Sequence, residues 1–123
     1  MVKTFKSRVF FLTVYIKEAH ACDEWKLGDN ICIQQHKSIE ERLDATKLMM
    51  KGLNYHIPTV VDGIENSFEK MFAVWPERYI LLENNDAKLL HVSNPEAYGH
   101  NPQTFCRVLM DCELTKVAPN TME

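Results

Sequence analysis

Long apolar runs are what the sequence lacks first. The longest, Val9 to Ile16, is interrupted by Thr13 and falls far short of the roughly 20 residues that cross a bilayer. No small-residue cleavage site of a signal peptide accompanies it, so as given the chain reads as untargeted, soluble and cytoplasmic. Positive charge is not in excess either: 14 Lys and Arg stand against 17 Asp and Glu, for a net charge of -3. The basic face that nucleic-acid binding needs is therefore missing, and no DNA or RNA partner is expected. The four cysteines, Cys22, Cys32, Cys106 and Cys112, form no CxxC and no framework spacing. In a chain that is not secreted all four are expected to stay reduced. No internal repeat or second domain is visible.

What is present is an ordinary globular composition, 46% apolar and 25% charged over 123 residues. That is enough for one domain with its own core, expected over residues 1–116 with a frayed tail over 117–123. Val9 to Ile16 is β-branched and aromatic on both faces, the pattern of a central strand buried under helices on either side. Residues 26–37, with Gly28, Asp29 and Asn30, read as a loop. Ser38 then opens a helix, with Glu41 at the third position of a capping box. Ile39, Leu43, Thr46 and Met50 form its apolar stripe, and Gly52 is its expected C-terminal stop. "IPTVVD", residues 57–62, is a short strand that begins where Pro58 is tolerated. Asn66 is expected to cap a second helix with Glu69 at N3, burying Phe68, Met71, Phe72 and Trp75 before Pro76 stops it. "RYILLENNDAKLLHV" is a hairpin about Asn84-Asn85-Asp86. Asn101-Pro102 starts the last helix, with Phe105, Val108, Leu109 and Cys112 inward. The order strand, helix, strand, helix, strand, strand, helix predicts an α/β fold whose mixed sheet ends in the antiparallel hairpin.

The segment "VYIKEAHACDEW", residues 14–25, carries Glu18, His20, Cys22, Asp23, Glu24 and Trp25 directly after the first strand. The end of a buried strand in an open α/β sheet is where such folds place ligands. A solvated polar loop is the competing reading of the same residues, with Glu18 paired to Lys17 or Lys26 and Trp25 packed beneath the loop. A zinc site from His20, Cys22, Asp23 and His36 has suitable ligand types but no paired spacing, so no metal is expected.

Five blocks carry a resemblance to a known family. "FFLTVYIKEAHACDEW", "QHKSIEERL", "IPTVVDGIEN", "WPERYILLE" and "YGHNPQTF" occur in one order over about residues 9–110. They resemble, in turn, the apolar strand running into Ile-Glu-Glu-Ala-His and Ser-Asp-Gly-Trp, the His-Arg-Ser-Leu-Glu-Asp-Arg helix start, Pro-Val-Val-Val-Asp, Tyr-Pro-Glu-Arg-Leu-Tyr-Val and Gly-Tyr-Asn-Pro of the iodothyronine deiodinases. The resemblance implies a thioredoxin-like fold related to peroxiredoxins. It implies an oxidoreductase in which a selenocysteine attacks iodine on an iodothyronine, or on a related halogenated phenol, and a thiol cosubstrate regenerates the enzyme. No bound cofactor is implied, and a homodimer is compatible with the family.

Carried over residue by residue, Glu18, His20 and His36 match catalytic positions, and Trp25 with His36 matches substrate-lining ones. Removing iodine reductively needs a proton for the ring carbon and a group that orients the phenol, tasks suited to a histidine titrating near neutrality. Glu18 would fix the tautomer or orientation of such a histidine. His36 precedes the N-cap Ser38, where the positive helix end favours a neutral imidazole.

The departures are as informative. The family's selenocysteine lies in a strand-turn-helix before the strand matched by Val9 to Ile16, so this chain reads as lacking that N-terminal unit. Met1 to Phe5 resembles the end of the active-site helix. Full-length members are often membrane-anchored by a segment further upstream. The expectation is a selenocysteine encoded upstream of Met1 by a TGA codon. Ile57 stands where some members have a cysteine, Pro95 where some have a basic residue, and Cys22 where the family has serine. A non-catalytic thioredoxin-like binding or redox-regulatory module is the alternative function. Cys22 as a substitute nucleophile beside His20 is a third reading, weakened by the absence of a helix start directly after it.

Overall fold

A computed structural model of the chain describes residues 1–29, 31–83, 86–93 and 101–117. It is an α/β protein that divides into two compact units, residues 2–76 and residues 77–123, the second taking in Met1.

The first unit runs α1 (Val2–Phe5), β1 (Thr13–Tyr15), α2 (Ile39–Gly52), β2 (Thr59–Val61) and α3 (Ser67–Phe72). β1 and β2 pair in parallel, Thr13 opposite Thr59 and Tyr15 opposite Val61. The ladder continues at both ends, with Thr13 N–H donating to the Pro58 carbonyl and Asp62 N–H to the Tyr15 carbonyl, each at 2.9 Å. The predicted strand over Val9 to Ile16 is thus reduced to three residues. β2 is its ladder partner, and pairing stops where Pro58 offers no N–H and where the chain turns after Asp62. Phe10, 78% exposed, and Leu12 are not covered, against the expectation of burial on both faces.

α2 begins as its capping box requires. Ser38 Oγ accepts from Glu41 N–H at 3.2 Å, and the Glu41 carboxylate reaches back to Lys37 N–H at 2.7 Å, one residue earlier than the standard box. The buried face, however, is Arg42, Ala45 and Thr46. The stripe drawn through Ile39 and Leu43 is rotated by about one residue, and Leu43 is exposed. The helix includes Gly52, and the left-handed residue beyond it is Asn54, φ 47°, a conformation asparagine tolerates.

α3 also departs from expectation. Asn66 precedes it in a left-handed conformation and makes no side-chain cap. The cap is Asp62, whose carboxylate accepts from Phe68 N–H and Glu69 N–H, both at 3.0 Å. Ala73, φ 48°, ends the helix before Pro76. Its side chains are not core: Met71 is 75% exposed, Trp75 is exposed, and Phe68 and Phe72 are half-buried against one another. Phe5, Ala21, Ala45 and Val74 supply the apolar interior of this unit.

The second unit holds β3 (Ile80–Leu82), β4 (Leu89–Val92) and α4 (Pro102–Val117). β3 and β4 form the expected antiparallel hairpin, with a bulge between Leu81 and Leu82. Among the described residues, the strands of the predicted mixed sheet form two two-stranded ladders, one parallel and one antiparallel. Asn101 Oδ1 caps α4 by accepting from Gln103 N–H at 3.0 Å. Phe105 and Leu109 are buried, and Phe105 stacks on Tyr79 at 4.7 Å between ring centroids. Asn84 and Asn85 of the hairpin turn, Pro95, and the tail after Val117 lie outside the described residues.

Candidate functional site

β1 delivers Tyr15 and, after the strand ends, Lys17 and Glu18. The segment before α2 delivers Gln35 and His36, and the first turn of α2 delivers Arg42. Lys17, Gln35, His36 and Arg42 line, with Glu24 and Asn66, an open recess of about 230 Å³, and Tyr15 and Glu18 lie beside His36.

Glu18 is held at both ends. Gln35 brackets its backbone, Oε1 accepting Glu18 N–H at 3.1 Å and Nε2 donating to the Glu18 carbonyl at 3.0 Å. The Tyr15 hydroxyl donates to its carboxylate. Burial, then the Glu18 hydrogen bond and charge, push the Tyr15 hydroxyl pKa well above the ordinary phenol value, with Arg42 opposing. The expected alternatives for Glu18 are otherwise engaged. Lys17 pairs with Glu69 at 3.5 Å and lies over the Trp75 ring, while Lys26 pairs with Asp29 at 2.8 Å.

The His36 side chain is 2% exposed. Its Nδ1 accepts from Arg42 Nε–H at 3.3 Å. Its Nε2 lies 3.7 Å from Glu18 Oε1, beyond hydrogen-bond distance, and has no hydrogen-bond partner among the described residues. Burial lowers its pKa below the ordinary imidazole value, and the Arg42 charge acts in the same direction, while Glu18 and Glu41 oppose it. The ring is therefore neutral at pH 7. Burial and a guanidinium favour the neutral ring here, in the same direction as the helix start.

Of the residues singled out from the sequence, Glu18 and His36 meet. His20 and Trp25 meet each other instead: the rings lie edge to face at 4.8 Å, and His20 Nδ1 is 3.3 Å from the Trp25 carbonyl oxygen. Both are exposed, Trp25 to 58%, so Trp25 is not packed beneath its loop. Among the described residues no interaction joins this pair to Glu18 or His36.

The expectation of four reduced thiols is overturned. Cys22 and Cys32 form a disulfide with their Cα atoms 5.4 Å apart, a separation that a bridge needs. Cys22 N–H donating to the Ile33 carbonyl at 2.9 Å brings the two segments together. A sulfur in that bond is neither a thiolate nucleophile nor a zinc ligand, which removes Cys22 from both readings. Among the described residues no three His, Cys, Asp or Glu side chains converge to hold a metal ion.

Tyr15, Gln35 and Arg42 escape the sequence reading: Tyr15 reads only as part of a strand, and Gln35 only as part of the loop over residues 26–37. Arg42, 1% exposed, donates to His36, to the Asp62 and Gly63 carbonyls at 3.0 and 2.7 Å, and to Asn66 Oδ1 at 2.9 Å. It is the last residue of the "HKSIEER" block, and it shares a helical face with Ala45 and Thr46, a signal available in the sequence.

No helix among the described residues is long and apolar enough to cross a membrane. A model of the iodothyronine deiodinase family matches residues 1–111. A type I iodothyronine deiodinase of Xenopus laevis is 36% identical over 109 residues, which is 89% of this chain and 42% of that protein. Thyroxine 5-deiodinases of Ovis aries and Homo sapiens are each 28% identical over 99 residues, 80% of this chain and 34% and 32% of theirs. The chain thus spans about two fifths or less of the relatives it matches, and by the match across its length it belongs to the iodothyronine deiodinase family.

Proposed function

We propose that this chain forms the substrate-orienting part of a thioredoxin-like reductive deiodinase, completed by a selenocysteine encoded upstream of Met1. The substrate class is iodothyronines or related iodinated phenols. The observation that carries the reading is the unpartnered, buried Nε2 of a neutral His36 at the wall of a recess. A buried donor without a partner costs about 1–3 kcal/mol, and a phenolic oxygen is an acceptor that would relieve that cost.

The overall change converts an aryl C–I bond and two thiols into an aryl C–H bond, a disulfide, iodide and a proton. The selenolate, when present, supplies the nucleophile that takes the iodine, and the thiol reductant restores it. The rest falls to this chain. A neutral imidazole whose Nδ1 is already occupied is a poor acid, so His36 orients the phenol through an Nε2–H hydrogen bond instead of giving up a proton. Tyr15 and Glu18 form a hydrogen-bonded pair beside it, which fixes the carboxylate that faces Nε2, and the proton for the ring carbon comes from the thiol reductant. Trp25, edge-on to His20, offers an exposed ring face to an aromatic substrate. A homodimer is compatible with the same reading.

Two experiments test this. The reading frame upstream of Met1 is expected to contain an in-frame TGA preceded by strand-like coding sequence. The full-length product is expected to release iodide from a labelled iodothyronine with dithiothreitol, and His36→Ala to lose that release. A frame without the TGA, or full activity in His36→Ala, overturns the proposal. Activity that never appears in a selenocysteine-containing product would favour the non-catalytic module.

A further inference from the structure

Arg42 is an expensive residue to bury. A guanidinium stays protonated at any physiological pH, and moving it out of water without an anion costs several kcal/mol. Among the described residues no carboxylate lies within 4.0 Å of it. Every acceptor it meets is neutral: an imidazole nitrogen, two backbone carbonyls and an amide oxygen. An apolar side chain would fill the same space on α2 beside Ala45 at lower cost, so the fork has a purpose other than packing.

That purpose follows from the donor inventory. Arginine has five N–H donors and no acceptor. Whatever faces its Nε must accept, and what faces it is His36 Nδ1. A ring nitrogen that accepts carries no proton, so in the neutral ring the proton resides on Nε2. A serine, asparagine or water in the same place could donate or accept and would leave the tautomer open. The other two nitrogens of the fork are pinned to the β2–α3 turn through the Asp62 and Gly63 carbonyls and Asn66 Oδ1. Asp62 is in turn fixed as the cap of α3. The direction of the Nε–H bond, and with it the orientation of His36, is therefore set by rigid backbone.

We propose that Arg42 is a positioning residue: its buried guanidinium locks His36, a residue of the recess wall, as the Nε2–H tautomer and fixes the direction of that N–H. This role in turnover rests on the deiodinase reading, whereas the tautomer lock does not. The groups that face His36 are Tyr15 from β1, Glu18 from the segment after it, and Glu41 and Arg42 from α2. Lys17 and Glu24 complete the charged lining of the recess. None of these except Arg42 bonds to Nδ1.

The test is 15N NMR of the 123-residue chain labelled at histidine, without substrate. At pH 7.5 the expected His36 signals are an unprotonated, pyridine-type Nδ1 and a protonated, pyrrole-type Nε2. In Arg42→Gln, whose amide can donate or accept, the two nitrogens should move toward averaged positions and His36 should titrate at higher pH, because the charge that lowers its pKa is gone. Arg42→Lys, again a cationic donor without an acceptor, should keep the Nε2–H tautomer where its ammonium reaches Nδ1. A protonated Nδ1 in the unmodified chain overturns the proposal even if both variants fail to fold. Unchanged signals in a folded Arg42→Gln overturn it as well. Absence of iodide release by the unsubstituted full-length enzyme, with the tautomer intact, would count against the deiodinase reading and not against the lock.

Discussion

Replacing Asp62 with asparagine should loosen the junction on which the site is built, and the size of the effect can be worked out. Asp62 is 5% exposed and sits where four elements meet. Its N–H extends the β1–β2 ladder to Tyr15, its carbonyl accepts from Arg42, and its carboxylate caps α3 through Phe68 N–H and Glu69 N–H. The two backbone bonds survive substitution, so only the cap changes. Hydrogen bonds to a charged partner are worth about 1.5–3 kcal/mol each. Asparagine keeps one oxygen acceptor, now neutral, and turns an NH2 group toward the second N–H donor. The loss is one charge-assisted bond and part of the other, about 2–3 kcal/mol. For a domain of this size that corresponds to a fall in Tm of roughly 8–12 °C. Urea unfolding followed by circular dichroism should show a lower midpoint with an unchanged slope. A loss under about 0.5 kcal/mol would refute the argument, because it would mean that α3 does not depend on this cap.

Three further outcomes follow from the same geometry. The Cys22–Cys32 disulfide spans a sequence separation of 10, and closing a loop of that length in the unfolded chain is worth about 2.7 kcal/mol. Cys22→Ser should lower the urea midpoint accordingly, and coincident midpoints with and without the bridge would contradict it. His36, with its pKa lowered in the folded state, binds fewer protons there than when unfolded. Its contribution to stability is complete above the unfolded value of about 6.5 and is lost as pH falls toward the folded value, at up to about 1.4 kcal/mol per pH unit. His36→Asn should flatten the pH dependence of unfolding in that window, and an unchanged slope would count against the assignment. Glu18→Gln removes a charge that raises the His36 pKa, so His36 in that variant should titrate lower still in an NMR titration. A rise would contradict the pairing of the two groups.

The parts of the fold legible in the sequence are those fixed by neighbours in the chain. Ser38 with Glu41, and Asn101 with Pro102, announce helix starts because a cap is a local hydrogen bond, and both starts are found. Asn66 misled because its amide oxygen is taken by Arg42, 24 residues away, leaving the cap to Asp62. Val9 to Ile16 reads as a long buried strand from composition, yet strand length is set by the partner, and β2 pairs with only three of its residues. In the site, Glu18 and His36 were visible through the family blocks, while their nearness, across 18 positions, is a tertiary fact. Arg42 was missed because arginine at a helix position reads as solvated, and only its neighbours Ala45 and Thr46 on the same face hint at burial. The disulfide was missed because a spacing of 10 matches no framework pattern.

The central claim is that the recess beside His36 receives an iodinated phenol through the Nε2–H of a neutral imidazole. The measurement that tests it most directly is iodide release from a labelled iodothyronine by the full-length selenocysteine-containing product, compared with His36→Ala, in dithiothreitol. Loss of an oriented donor of this kind is expected to lower the rate by about 100-fold or more. Equal rates in the two proteins would contradict the account.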